Sequence, residues 1–241
     1  MGGYAELAPP PALRTFLDCL WVHVIDDPPP PEGRRLLPSG QVDLVWLAGM
    51  GVRVSGPQSR YTQPPDLPRM IVFGARFHAG TASMLLRAPA SSIVDAHVDL
   101  DAFDPRLAAR LDDRLLHAGD TAGVMASFAE ELGRGLRHVS EPDVAVVEAI
   151  RLLDRGEPVA GVAERTFVSE RALQRRFAEH VGYGPKTLQR VLRFQRFLRA
   201  MPRAPLARAA ALAGYADQSH LTREARRLTG LTPTRLLSWQ H

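Results

Sequence analysis

The 241-residue chain holds one cysteine, Cys19, and one lysine, Lys186. A lone cysteine excludes an internal disulfide framework and any zinc or iron–sulfur site built from several thiolates. No apolar run approaches the roughly 18 residues that mark a membrane helix. The opening MGGYAELAPPPALRTF lacks the basic segment and apolar stretch of a secretory signal. The expectation is a soluble protein of the cytoplasm with no membrane partner. Aromatics are sparse at 7%, but 45% hydrophobic and 23% charged residues are ordinary for a globular chain and argue against disorder or a fibre. The length fits one large domain or two of common size.

A net charge of +4 hides an asymmetry. Residues 1–142 carry 13 Arg against 17 acidic residues, net −4, and residues 143–241 carry 17 basic against 9 acidic residues, net +8. A basic second half points to nucleic acid or another anionic surface. High genomic GC content explains the shortage of lysine, because the first half is equally arginine-rich. It does not explain the uneven charge.

The first half alternates short apolar runs with proline- and glycine-rich turns. Residues 20–25, 42–47, 52–55 and 70–78 are rich in Val, Ile, Trp and Phe, and turn formers such as 28–31, Ser39-Gly40 and 49–51 bound them; they predict strands. A short helical stretch is expected at 81–87. Asp104-Pro105 caps a helix with Leu107, Leu111 and Leu115 on one face, and Thr121 starts another with Met125, Phe128, Leu132 and Leu136 in step. The result is a mixed α/β domain with a small curled sheet or barrel plus helices. His23, His78, His97 and His117 lack metal-ligand spacing, so neither a metal, a cofactor nor a catalytic group is assigned. Cys19 reads as buried filler in an apolar strand. Trp21, Trp46, Phe73 and Phe77 are candidates to line a ligand pocket, with simple core as the alternative.

Residues 138–142 (HVSEP) read as a linker, because Pro142 discourages helix continuation and Asp143 can cap the next helix. Beyond it the pattern is helical and repeated. A shift of 48 residues places Ala163 on Ala211, Leu173 on Leu221, Arg175 on Arg223, Gly182 on Gly230 and Pro185 on Pro233, with Phe167 on Tyr215 as a conservative match. Each copy predicts a short apolar helix, a turn plugged by Phe167 or Tyr215, and a second helix capped by Ser169 or Asp217. A left-handed glycine and a proline then close the copy. At about 100° per residue, Leu173 and Phe177 face inward while Arg171, Gln174 and Arg175 face out. In the second copy Leu221 and Leu228 face inward, and Ser219, Thr222, Arg223 and Arg226 face out. Arg and Gln side chains suit guanine and adenine edges in a major groove.

The segment GYADQSHLTREARRLTGLTP, residues 214–233, resembles the signature of the AraC/XylS family of bacterial transcription regulators. VSERALQRRFAEHVGYGP, residues 168–185, is similar to that family's upstream motif, so the resemblance covers about 143–241. It implies an all-α double helix-turn-helix domain, joined by a long helix, that enters successive major-groove segments of duplex DNA. By motif position the base-edge residues would be Arg171, Gln174, Arg175, Ser219, His220 and Arg223. Lys186, Thr187, Arg193 and Arg226 would serve phosphates. Where the family has a large apolar residue the chain has Ala225, preceded by Glu224; looser packing and a negative charge near DNA are the expected result.

The resemblance thus divides the chain into a sensor or dimerisation domain over 1–137, the linker, and a DNA-binding domain over 143–241. LLPSGQVDLVWL and GARFHAG resemble an N-terminal domain found in many uncharacterised family members. The partners implied are promoter DNA, an unknown small-molecule effector, RNA polymerase if the protein activates, and a homodimer as an open option. No enzyme activity is implied. Two alternatives stand beside the regulator: a metal-dependent N-terminal enzyme with a DNA-binding tail, and an architectural DNA binder that senses nothing. Effector, operator, sign of regulation and oligomeric state are not readable from the sequence.

Overall fold

The computed structural model describes residues 3–26, 35–64 and 67–239; the expected turn at 28–31 lies outside them. The apolar runs of the first half form β2 (Leu17–Ile25), β3 (Val42–Leu47), β4 (Gly51–Ser55) and β5 (Met70–Phe77). Two further strands, β1 (Tyr4–Leu7) and β6 (His97–Asp99), have no apolar alternation to announce them: β1 is exposed along its length and β6 has three residues. The sheet runs β1-β2-β5-β3-β4-β6, and every pairing is antiparallel.

Side chains alternate between the two faces of the strands. One face carries Leu44, Trp46, Phe73, Ala75 and Phe77 into the main core. Covering it are α2 (Pro105–Leu116), through Leu107, Leu111 and Leu115, and α3 (Thr121–Leu136), through Met125, Phe128, Leu132 and Leu136. The short α1 (Ala82–Leu86) adds Leu85 and Leu86. Asp104 and Asp120 cap α2 and α3 by accepting from the amides of Leu107 and Gly123 at 2.9 and 2.8 Å. Between the helices lies Glu131, 0% exposed, which accepts hydrogen bonds from Arg110, Arg114 and Arg134.

The four aromatics considered as pocket lining are core instead. Trp46 and Phe73 sit side by side with ring centres 5.8 Å apart, the Trp46 indole donates to Asp112 at 2.8 Å, and Phe77 is fully buried with them. Leucines from α2 and α3 share that interior. Trp21 lies on the other sheet face, donates to Asp43 at 3.0 Å and covers Gly74, where a Cβ would come within 2.3 Å of the indole. Cys19 is buried beside it, and burial pushes its thiol up to about 12, so it is filler as the sequence suggested.

The second half is helical. After α3 ends, Asp143 caps α4 (Val144–Asp154) by accepting from the amides of Ala145 and Val146 at 2.9 and 3.3 Å. There follow α5 (Val159–Arg165), α6 (Glu170–His180), α7 (Pro185–Ala200), α8 (Leu206–Ala213), α9 (Gln218–Thr229) and α10 (Pro233–Trp239). Two separate apolar clusters hold them. One joins α4 and α5 to Leu173 and Phe177 of α6, and the other joins Phe194 and Phe197 of α7 to α8 and α9. The fold is therefore an antiparallel sheet domain followed by an all-α domain.

The sheet domain rests against both ends of this helical array. Tyr183 donates to the carbonyl of Gln58 at 3.4 Å, Ser83 and His180 meet at 3.2 Å, and Gln195 of α7 bonds the carbonyl of Pro38. At the far end, Arg35 and the amide of Tyr61 reach the carbonyls of Thr229 and Leu228 at the close of α9.

Candidate nucleic-acid interface

In the first helix-turn-helix, Ser169 accepts from the amide of Ala172 at 3.3 Å and so fixes where α6 begins. Leu173 and Phe177 are fully buried one turn apart, against Val146, Ala149 and Leu152 of α4 and Val162 of α5. That burial turns Arg171, Gln174 and Arg175 outward, all three exposed. The Gln174 amide folds over Gly184, where a Cβ would come within 2.2 Å of its Oε1, so a side chain at 184 would displace it. Arg176 is not part of the outward face: it donates to both carboxylate oxygens of Asp143, at 3.1 and 3.0 Å, and ties α6 to the start of α4. Gly182, in the left-handed region at φ 99°, ends the unit, and Pro185 opens α7.

In the second, Asp217 accepts from the amide of His220 at 2.6 Å and caps α9. Leu221, Ala225 and Leu228 face α7 and α8, leaving Ser219, Arg223 and Arg226 exposed. His220 is half-buried. Its ring meets Tyr215 edge-on at 5.3 Å, and its Nε2 lies 3.8 Å from a Glu224 oxygen. Gly230, at φ 72°, closes the helix.

Glu224 does not present a negative charge to a ligand on this face. It is 8% exposed and turned inward, where Arg193 of α7 donates to both its oxygens at 3.2 and 2.7 Å and the Tyr215 hydroxyl donates at 3.0 Å. Burial, with the Glu224 charge beside it, pushes the Tyr215 phenol well above its ordinary range. Arg193 is accordingly held on Glu224 and over the Tyr215 ring at 5.0 Å, not free to meet a phosphate as the motif position suggested. Ala225 is fully buried in one cluster with Phe194, Phe197 and Tyr215. Of the other phosphate candidates, Lys186 and Arg226 are exposed, and the Thr187 hydroxyl accepts from Arg190 at 3.3 Å.

The two turns depart from the 48-residue register. Phe167 is no plug: it is 97% exposed, with its backbone in the left-handed region at φ 54°. The left-handed residue of the second turn is Gly214, at φ 86°. The amide of Val168 bonds the carbonyl of Ala163 at 3.2 Å, and the amide of Tyr215 bonds that of Ala210 at 3.0 Å. Phe167 thus corresponds to Gly214 and Val168 to Tyr215, a shift of 47, while the caps Ser169 and Asp217 keep a shift of 48. Ala216 is the extra residue of the second turn. The true plug of the first turn is the partly buried Val168, which the sequence comparison could have found by allowing a one-residue gap.

Among the described residues no group of three or more His, Cys, Asp or Glu is placed to hold a metal ion, and no helix is long and apolar enough to cross a membrane. His97 instead meets the Thr62 hydroxyl at 3.3 Å, and His117 lies 2.6 Å from the carbonyl of Asp113.

Residues 162–238 match the family model described as a helix-turn-helix domain, and residues 5–99 match a domain of unknown function (DUF6597). No curated protein matches the chain. Among solved structures, a singly substituted apo ToxT from Vibrio cholerae strain SCE256 is 10% identical, with a TM-score of 0.46 over 99% of this chain and 96% of its own. ToxT from Vibrio cholerae O395 is 10% identical, with a TM-score of 0.43 over 99% and 96%. The 1.65 Å structure of ToxT from Vibrio cholerae is 8% identical, with a TM-score of 0.44 over 99% and 97%.

Proposed function

We propose that this chain, whose residues 162–238 match a helix-turn-helix family model, is a DNA-binding regulator of the AraC type that reads two neighbouring major-groove segments through α6 and α9 and is controlled through its N-terminal domain. The observation that carries the reading is a pair of side-chain-capped helices, one on each side of α7, each presenting exposed arginine beside polar side chains. Two such helices on one rigid connector suit successive major-groove segments about one helical turn apart. Arg171, Arg175 and Arg223 would donate in a fork to guanine O6 and N7, Gln174 would pair with an adenine edge, and Ser219 and His220 would meet bases near the start of α9. Lys186, Thr187 and Arg226 would hold phosphates and so set the register without reading sequence.

In this reading residues 1–137 sense, 138–142 link and 143–241 bind DNA. The contacts of the sheet domain with both helical units support control by arrangement. Whatever changes that docking, a small molecule or a second copy of the chain, changes how α6 and α9 are set relative to each other.

Selection of bound sequences from random duplex DNA by the full chain tests the reading. A bipartite motif is expected, together with binding that weakens steeply as salt rises because counterions are released at each arginine–phosphate contact. Arg175→Ala should weaken binding by about 1–3 kcal/mol and relax one base position. Unselective binding, or a variant that selects the same motif with the same affinity, would overturn it.

A further inference from the structure

The two helix-turn-helix units share α7 but no apolar cluster. Arg196 ties them across α7: it donates to the Asp154 carboxylate at the end of α4 and to the carbonyl of Ala213 at the end of α8, both at 3.3 Å. A second tie comes from outside the helical domain. Residues 57–61, which follow β4, meet the closes of both α6 and α9. A Cβ on Gly182 would come within 2.9 Å of Pro57 and 2.8 Å of Val94, and Tyr183 beside it donates to the carbonyl of Gln58. Further along the same segment, the Tyr61 amide donates to the carbonyl of Leu228, and a Cβ on Gly230 would come within 3.2 Å of the Tyr61 ring. The glycines that close the two units therefore rest on one short piece of the sheet domain.

That piece is anchored at its middle. The Asp95 carboxylate accepts from the amide and the hydroxyl of Ser59 at 2.7 and 2.6 Å, and the Asp95 amide donates to the carbonyl of Pro57 at 3.2 Å. The buried Gln58 donates to the Ser55 hydroxyl at 3.1 Å, at the end of β4. Asp95 stands in the left-handed region at φ 56°. Such a backbone is costly for a residue other than glycine and persists where the surroundings over-determine it. Here its bonds to Pro57 and Ser59 do so. At the α9 end, Leu36 and Thr62 exchange backbone bonds at 2.8 and 3.1 Å, which brings Arg35 alongside Tyr61 to the carbonyl of Thr229.

We propose that residues 57–61 are a strut that fixes the separation of α6 and α9 and so sets the spacing of the two DNA half-sites the protein accepts, with Asp95 as its positioning residue. Two readers at a fixed separation accept half-sites at one spacing. A single base pair more or less moves a half-site by about 3.4 Å and turns it by about a tenth of a helical turn. Held at both ends, the strut resists that displacement, so the sheet domain shares with α7 the choice of target geometry. The half-site spacing rests on the regulator reading; the fixed separation of the helices does not.

Two readouts on the full chain test the strut. The first needs no DNA. Spin labels on Glu179→Cys and Arg227→Cys, both at exposed positions, report the distance between α6 and α9; the buried Cys19 stays unlabelled. The native strut should give one narrow distance distribution. Asp95→Gly, which keeps the left-handed backbone and loses both side-chain bonds, should broaden it, and a glycine inserted after Ser59 should shift or broaden it. The second readout is affinity for half-sites selected by the native chain, placed at the selected spacing and one base pair to either side. The native chain should lose about tenfold on either shift, of the order of one mismatched base pair. Both variants should lose most of that preference while binding a single half-site as the native chain does. Arg35→Ala, which frees only the α9 end, carries the same test should either variant fail to fold. An unchanged distance distribution, or an unchanged spacing preference in a folded variant, would overturn the strut. Failure of the native chain to select any sequence would instead remove the regulator reading, and the half-site spacing with it, while the distances still decide whether the strut holds the helices.

Discussion

The guanidinium of Arg35 donates a 2.8 Å hydrogen bond to the carbonyl of Thr229, joining residues 194 apart at the end of α9. Beside it the amide of Tyr61 donates to the carbonyl of Leu228 at 2.6 Å, and the Arg35 guanidinium lies over the Tyr61 ring at 4.4 Å. The last carbonyls of a helix have no partner within it, and a cation there also meets the negative end of the helix dipole. Here the other domain supplies both the donors and the cation. Arg35→Ala is expected to leave the sheet and α9 folded but to speed amide hydrogen exchange around Leu228–Leu231. Unchanged protection there would show that the contact does not hold the two domains together.

Phe167 occupies a left-handed backbone with its side chain in solvent. A non-glycine residue there stores about 1 kcal/mol or more of strain, and the ring loses no packing if removed. Phe167→Gly should therefore stabilise the protein by about 0.5–1 kcal/mol, the relief being partly offset by the greater entropy of glycine in the unfolded chain. Denaturant melts of the two proteins check this, and a destabilised variant would mean the ring has a partner in solution.

Glu224 is the joint between α7 and α9. Glu224→Gln keeps the shape but removes the charge that Arg193 and Tyr215 were built around. The expected loss is about 2–3 kcal/mol, below the roughly 3–5 kcal/mol of a fully buried pair, because Arg193 retains 22% exposure and can turn to water. Affinity for selected DNA should fall as well, because the angle between α7 and α9 is less well held. Equal stability of the two proteins in urea would contradict the joint.

Glu131 gives a prediction in pH. Burial alone would raise its carboxyl, but hydrogen bonds from Arg110 and Arg114 and the charge of Arg134 carry it below the ordinary 4.5. A carboxyl lowered in the folded state contributes its stability above the unfolded value and loses it as pH falls through the folded one. Glu131→Gln should thus melt earlier than the native chain at neutral pH, and the gap should close as the solution is acidified below about 4. A gap that stays constant down to pH 3 would mean the carboxylate contributes no charge interaction.

Much of this was legible in the sequence. The caps Asp104, Asp143, Ser169 and Asp217 could be read because a short polar side chain before an apolar period does one local job. The inward residues Leu173, Phe177 and Leu221 could be read because helical spacing fixes direction. What escaped depends on partners far along the chain. The inward turn of Glu224 is set by Arg193 on another helix, and the fate of Trp46 and Phe73 by leucines on α2 and α3. The strut exists only because 57 and 61 are brought against 182 and 228, and no spacing within either half encodes that meeting. The plug was misplaced for a different reason: a fixed shift hides a single inserted residue.

That inserted residue, Ala216, makes the two units unequal repeats. Between the left-handed residue and the helix cap the first turn has one residue, Val168, and the second has two, Tyr215 and Ala216. The start of α9 is therefore reached through a turn one residue longer than the turn before α6. A duplicated reader of this kind need not demand a duplicated target: its two half-sites can differ in both letters and spacing, and lengthening or shortening the second turn would retune one half without touching the other.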